Sequence, residues 1–191
     1  PAVGSSERKI LTTWHASFRL PTLILEAKRE TLLTYDIHGN VTQHQIKDTA
    51  TNTTRTWNTS YTYHASVPGV MTQRIEDGPR TDVSDTTTYL YYAPNASCVG
   101  GHLGCRAQVA TITNALGHVT EVTRYNAHGQ PEEIYDANDL VTTLAYDNRQ
   151  RLITKTVGSE ITSYQYDHAG QVKRITSPDT SYLNFTYDTA H

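Results

Sequence analysis

The chain has 191 residues, a formal net charge of −3 and a sequence pI near 6.3, so it lacks the basic excess of a general nucleic-acid binder. Hydrophobic residues make up 37% and charged residues 18%, a balance unlike that of a disordered tail. No apolar run approaches the roughly 18 residues that a membrane-spanning helix needs, so membrane insertion by a helix is not expected.

Residue usage points to strands. Threonine occurs 31 times and tyrosine 13 times, against 2 phenylalanines and 1 methionine. Thr and Tyr both suit a pleated, half-exposed surface, and no long stretch carries apolar residues at helical spacing. The expected class is all-β, with strands that have one wet face. The start at Pro1, without a signal-peptide pattern, reads as a piece of a longer chain.

In chain order, "LPTLILEAKRETLLTYD" predicts a strand, a turn around Ala27 to Arg29, and a second strand ending at Tyr35. "IEDGPRTD" and "APNASCVGGHLGC" predict longer loops. Beneath these insertions runs a repeat anchored on Tyr35, Tyr63, Tyr92, Tyr125, Tyr146, Tyr166 and Tyr187. The last four anchors are 21, 20 and 21 residues apart, and the upstream gaps are 28, 29 and 33. The residues that follow the anchors are Asp36, His64, Ala93, Asn126, Asp147, Asp167 and Asp188, so the Tyr-Asp pair is clean in the last third and decayed in the middle. Two residues before the anchors stand Leu33, Tyr61, Leu90, Thr123, Leu144, Tyr164 and Phe185, which share a strand face with the anchor.

The Asp has a structural reason. Asp36-Ile-His-Gly39, Asn126-Ala-His-Gly129 and Asp167-His-Ala-Gly170 share the pattern D/N-x-x-G. An Asp or Asn opening a type I turn accepts the amide two residues on, and a left-handed Gly then closes a three-residue hairpin with a bulge. Second turns at Asn114–Gly117, Asp136–Asp139, Val157–Glu160 and Ser177–Thr180 give two antiparallel strands per unit of about twenty residues. From Val119 onward the predicted strands are 119–125, 130–135, 140–146, 151–157, 160–166, 171–176 and 181–187. Val172 and Ile175 sit three apart and break the alternation, which a bulge would absorb. Tyr146, Tyr166 and Tyr187 are expected at equivalent strand ends on one sheet face.

These residues resemble the bacterial Rhs, or YD-repeat, family. The resemblance rests on Tyr35-Asp36-x-x-Gly39, Tyr125-Asn126-x-x-Gly129 and Tyr166-Asp167-x-x-Gly170, with "NALGHVTEVTRYNAHGQ", "TWHASFRLPT" and "IEDGPRTDVSDTTTYLYY", and runs from about Thr13 to the end. Tyr146-Asp147 and Tyr187-Asp188 continue it. The resemblance implies an antiparallel β-meander that forms part of a spiralling, hollow β-shell. In polymorphic toxin systems such a shell surrounds the chain's own C-terminal toxin until delivery, often by type VI secretion. An older proposal for these repeats is carbohydrate binding. The chain would then be one YD-repeat region over residues 1–191, irregular across 13–118 and regular across 119–191, and a fragment of a longer chain. Its expected partners are flanking repeats, an encapsulated C-terminal domain, a second copy paired edge to edge, and, in the alternative reading, glycans. Its expected place is secreted or at the cell surface after export of a cytoplasmic precursor. No Asp-Pro dipeptide of the family's self-cleavage segment occurs, and no toxin domain or spike-binding module is recognisable.

Reactive residue types fit structure better than chemistry. The nine His are scattered as His15, His38, His44, His64, His102, His118, His128, His168 and His191, with no His-Glu-x-x-His pair. Several fall in or beside the turns, where a polar side chain in solvent is the simplest reading. Cys98 and Cys105 bracket "VGGHLG" and admit two readings, a hairpin disulfide or two free thiols. A zinc site would need a second ligand pair. Glu132 and Glu133 are adjacent and so face opposite ways on a strand. No catalytic, cofactor or metal residue is assigned. The expected role is a non-catalytic structural segment.

Overall fold

The computed structural model describes residues 9–101 and 104–188. It is all-β and antiparallel, with one short 3-10 turn at Val99–Gly101. The chain divides into two compact units: residues through Thr88 together with Asn114–Leu116, and Tyr89–Thr113 together with residues from Gly117 onward. The first unit holds β1 (Leu11–Trp14), β2 (Pro21–Glu26), β3 (Arg29–Tyr35), β4 (Val41–Asp48), β5 (Thr53–Tyr63) and β6 (Met71–Asp77). The boundary falls within β7 (Thr87–Tyr91). The second unit holds β8 (Val109–Thr113), β9 (Val119–Tyr125), β10 (Pro131–Tyr135), β11 (Val141–Tyr146), β12 (Leu152–Val157), β13 (Glu160–Tyr166), β14 (Val172–Thr176) and β15 (Tyr182–Asn184). Within each unit every strand pairs with the next in sequence, so each sheet is a meander.

The predicted strands of the second unit agree with the observed ones to within a residue, except the last. β15 ends at Asn184, although the Phe185 amide still donates to the Lys173 carbonyl at 2.9 Å. In the first unit the β2–β3 turn is Ala27-Lys28, and Arg29 already pairs with Glu26 in the ladder. The first expected loop begins only after Asp77, since Ile75, Glu76 and Asp77 belong to β6, and runs to the start of β7; the described residues of the second, 93–101 and 104–105, lie outside the strands.

The break in alternation at Val172 and Ile175 is a bulge. Gln165 pairs with Arg174 and Tyr166 with Val172, which leaves Lys173 unmatched. The same register shift recurs at Trp14, Tyr35, Tyr63, Tyr125 and Tyr146, leaving Thr22, Thr42, Thr72, Glu132 and Ile153 unmatched. A bulge disconnects a carbonyl on the opposite strand. At two sites the unmatched threonine repairs this: Thr22 Oγ1 donates to the Thr13 carbonyl and Thr72 Oγ1 to the Thr62 carbonyl, each at 3.2 Å.

The two faces of each sheet differ. On β5, Trp57, Tyr61 and Tyr63 share one face, and the rings of Tyr61 and Tyr63 stack 6.3 Å apart. The opposite face carries amides and hydroxyls that bond across strands: Gln43 to Asn58 and Gln45 to Thr56, both at 3.1 Å. On β13, Thr162, Tyr164 and Tyr166 alternate in the same way with Ser163 and Gln165. Most strand residues are half-buried. Among the described residues the buried apolar side chains are Cys98, Cys105, Val122 and Tyr125, all in the second unit. The fold therefore depends on ladders and turns more than on a deep core.

The turns follow the expected chemistry, with one difference. Gly39, Gly129 and Gly170 occupy the left-handed position at φ of 85, 79 and 95°. Gln150, Asp139 and Thr180 occupy the same position in the turns opened by Asp147, Asp136 and Ser177, at φ of 64, 60 and 69°. A β-branched side chain is the least tolerant of that region. Thr180→Gly is therefore expected to stabilise the chain by about 1 kcal/mol in urea unfolding; loss of stability would show that the Thr180 side chain makes a compensating contact.

Candidate functional site

The repeated element is built from three parts: the turn acceptor, the bulge and the tyrosine hydroxyl. Asp36 Oδ1 accepts the amides of His38 and Asn40 at 2.8 and 2.9 Å, while the Gly39 amide donates to the Asp36 carbonyl. Asn126 repeats this with His128 and Gln130, Asp147 with Arg149 and Arg151, and Asp167 Oδ1 accepts the Gln171 amide. Burial pushes the Asp36 carboxyl up, but hydrogen bonds from Tyr63 and from the Asn40 and His38 amides outweigh it and hold it below the usual range. For Asp147 the hydrogen bonds from Arg151 lead the same lowering.

Histidine takes the acceptor's place in two decayed repeats. His64 Nδ1 accepts the Ser66 amide at 3.2 Å, and His15 Nδ1 accepts those of Ser17 and Phe18 at 3.1 and 3.2 Å. Accepting at Nδ1 requires that the ring proton sit on Nε2. His38, His128 and His168 lie in the turns, whereas His102 and His191 lie outside the described residues.

The tyrosine hydroxyls make the feature that the repeat spacing did not disclose. Tyr146 Oη donates to the Pro131 carbonyl at 2.9 Å, Tyr166 to Leu152 at 2.8 Å and Tyr187 to Val172 at 2.8 Å. Tyr35 donates to Pro21 at 2.6 Å, Tyr125 to Val109 at 2.7 Å and Tyr61 to Val41 at 3.0 Å. Each acceptor is the first residue of a strand, the one before the tyrosine's own in every case but Tyr187, which lies three residues past the end of β15 and reaches the start of β14. For Tyr61, Tyr146, Tyr166 and Tyr187 it lies six residues after the previous anchor.

The cause is geometric. The bulge ties the strand start to the strand on one side, and the ladder on the other side has already ended. The β12–β13 ladder stops at Thr154 and Ser163, so the Leu152 carbonyl has no amide opposite it. A phenol reaches that carbonyl where the backbone does not. Phenylalanine would fill the same space without the donor, which accounts for tyrosine at these six positions.

Two anchors depart from expectation. At β5 the stitch is made by Tyr61, not Tyr63. Tyr63 Oη instead donates to Asp36 Oδ2 and accepts from Asn40 Nδ2, the latter at 2.7 Å, which links neighbouring turns. Tyr92 Oη donates forward to the Val122 carbonyl at 2.9 Å. The sequence also contains Tyr135-Asp136, whose Asp turns the chain in the same way. Tyr135 pairs with Val141 without a register shift, so the dipeptide alone does not mark a stitch.

Successive turns are joined along the anchor end of each sheet. Asn126 Nδ2 donates to Gln150 Oε1 at 3.1 Å, Gln130 Nε2 to the Gln150 carbonyl at 2.9 Å, and Arg149 Nη1 to the His168 carbonyl at 3.3 Å. Arg151 donates twice to Asp147 Oδ2, at 2.8 and 2.6 Å, and its guanidinium lies 4.3 Å from the centre of the Tyr166 ring. Cys98 and Cys105 are joined as a disulfide. Among the described residues no group of three or more His, Cys, Asp or Glu is placed to hold a metal ion.

The arrangement is that of a repeat protein whose recurring polar residues bond its own backbone. Residues 106–191 match the family model described as the teneurin YD-shell. That match falls on the second unit, whose antiparallel meander is consistent with a YD shell, and the family is one of structural shells. No curated protein matches the chain significantly. Two crystal structures, of TcdB2-TccC3-Cdc42 and TcdB2-TccC3-TEV, are similar over 83% and 82% of this chain at 14% and 15% identity, with TM-scores of 0.33 and 0.28. This chain spans 11% and 12% of theirs, and a likeness of that size carries no functional weight.

Burial raises the phenol pKa of Tyr35, Tyr61, Tyr92 and Tyr146, and that of Tyr125 to about 12. The neutral phenol is the donor, so the stabilisation is complete below the ordinary tyrosine value near 10 and is lost as pH rises toward 12. Urea midpoints should hold steady up to about pH 10 and fall above it, and Tyr125→Phe should flatten part of that fall. At neutral pH, Tyr166→Phe should cost about 1 kcal/mol by leaving the Leu152 carbonyl unpaired, while Tyr135→Phe should cost much less. Equal effects at the two positions would remove the stitch as a distinct contribution.

Proposed function

We propose that the chain is a non-catalytic segment of a shell that encloses a C-terminal domain of its own longer chain, as the Rhs resemblance implies. The observation that carries this reading is the consumption of the recurring side chains by the sheet itself. Tyrosine hydroxyls hold strand-start carbonyls, and turn carboxylates hold amides, in unit after unit. Such a surface is suited to continuity and not to one chemical event. Residues 1–191 are read as a single repeat region, with flanking repeats as the immediate partners. Export, by type VI secretion or another route, would carry the assembled precursor out of the cytoplasm.

The strand edges support the partner assignment. Among the described residues β1 pairs with β2 alone and β15 with β14 alone, and every residue of both strands is exposed. Exposed edges recruit further strands. The isolated 191 residues are expected to associate in a concentration-dependent way by light scattering; a monodisperse monomer at high concentration would count against an open shell segment. The shell reading itself is tested in the longer chain. Its C-terminal domain should resist protease while the repeats are intact and lose that protection when several stitch tyrosines are changed to Phe. A C-terminal domain cleaved equally well in both would overturn enclosure. Saturable binding on a glycan array, abolished by Tyr164→Ala, would favour the carbohydrate-binding alternative.

A further inference from the structure

Three turns stand side by side at the anchor end of the first unit, and the outer two are opened by histidine. The β1–β2 turn begins at His15, whose amide donates to the Leu20 carbonyl at 2.9 Å and whose Nδ1 accepts the Ser17 and Phe18 amides. The β5–β6 turn begins at His64, whose amide donates to the Val70 carbonyl at 2.8 Å and whose Nδ1 accepts the Ser66 amide. The Asp36 turn lies between them: a Cβ at Gly39 would rest 3.8 Å from the Phe18 ring, and one at Gly69 would rest 4.0 Å from His38 Nδ1. Against His15 stand the Phe18 ring, stacked at 4.7 Å, the Tyr35 ring, edge-on at 6.0 Å, and Arg19, which lines the same groove. Against the His64 turn stand His38, Tyr63 and Asp36, with Tyr63 Oη donating to the Asp36 carboxylate. In the second unit the corresponding acceptors are Asn126, Asp147 and Asp167.

We propose that His15 and His64 make the first unit acid-sensitive: protonation of either ring opens its turn, while the turns opened by Asp or Asn stay closed. A proton taken from solvent goes to Nδ1, the atom that accepts the amides, and leaves an imidazolium with two donors and no acceptor. The amides of Ser17, Phe18 and Ser66 then face an N–H in place of a lone pair. The neutral ring is the form that closes the turn. Closure is therefore complete above the ordinary histidine range near 6.5 and is lost as pH falls through it. An Asp acceptor keeps its lone pairs down to the ordinary carboxylate range near 4, and Asn does not titrate. Neither outer turn offers a ready counter-charge. Arg19 has the sign of the imidazolium, and the Asp36 carboxylate is already held by Tyr63 and by the His38 and Asn40 amides. Opening the first turn frees the ends of β1 and β2, and opening the second frees those of β5 and β6. The switch stands on the turns themselves and is independent of what the shell encloses.

The test is native-state amide exchange on the whole chain at about pH 7.5 and about pH 5.5, either side of the histidine range. The chain is kept dilute enough that light scattering shows no association, and rates are corrected for the intrinsic pH dependence of exchange. The His15 and His64 amides close the two turns. Both should exchange roughly tenfold faster at the lower pH, the factor by which an open turn carrying an ordinary histidine gains population one unit below its range. The Asn126 and Asp147 amides close turns in the second unit and should keep their rates. The first of these is a strict control, since His128 lies in that turn and contributes its amide to Asn126. His64→Asp should abolish the response at position 64 and leave that of His15 intact; His64→Asn, which copies Asn126, replaces it if the Asp variant does not fold. Equal corrected rates at the two pH values for the His15 and His64 amides would overturn the proposal. So would a response at position 64 that survives either substitution.

Discussion

A strand that starts with a bulge leaves its first carbonyl without a ladder partner, and a sheet with little buried core has few other ways to satisfy it. The phenol-to-carbonyl bond answers that constraint here. It recurs at Tyr35, Tyr61, Tyr125, Tyr146, Tyr166 and Tyr187, each time to the first carbonyl of a strand. The bulge, the turn acceptor and the tyrosine are therefore one unit. The Asp or Asn sets the turn, and where a bulge follows it, as after Tyr35, Tyr125, Tyr146 and Tyr166, the next strand's first carbonyl lies beyond the end of the ladder on its far side, where the next tyrosine reaches it. This chain of causes explains why a pair as ordinary as Tyr-Asp recurs at an interval of about twenty residues.

The fold could be read from the sequence wherever one residue decided the local geometry. Asp36 and Gly39 together specify a type I turn with a left-handed close, and the structure shows that turn. Val172 and Ile175, three apart on one strand, called for a bulge, and it is present opposite Tyr166. The stitch could not be read in the same way, because it joins residues 14 to 20 apart by a side chain whose partner is backbone and leaves no side-chain signature. The six-residue offset from one anchor to the next acceptor was present in the sequence, but without the bulge it had no meaning.

Substitution by chemical role, and not by residue type, accounts for the other departures. His64 looked like a decayed Asp, yet its Nδ1 accepts the amide an Asp would accept. His15 extends the pattern to a turn with no Tyr-Asp pair at all. Tyr63 looked like an anchor by spacing, but the extra length of β5 gives the stitch to Tyr61 and leaves Tyr63 to bond the neighbouring turn. Tyr135-Asp136 has the anchor dipeptide without the register shift. A search on hydrogen-bond roles would have recovered the first two and rejected the last.

Both units carry an aromatic face opposite a face of amides and hydroxyls. In a shell segment such asymmetry distinguishes the two surfaces without requiring a catalytic group on either. The stability of that segment should be local to the anchor end of each hairpin, and native-state amide hydrogen exchange on Tyr166→Phe tests this most directly. Exchange should speed up at Asp147, Gln150 and Arg151, which belong to the turn beside the Leu152 carbonyl. The Gly158 amide, bonded to the Val141 carbonyl at the far end of the same strands, should keep its protection. A uniform loss of protection, or none at the anchor end, would contradict the view that the tyrosine stitches hold this sheet together.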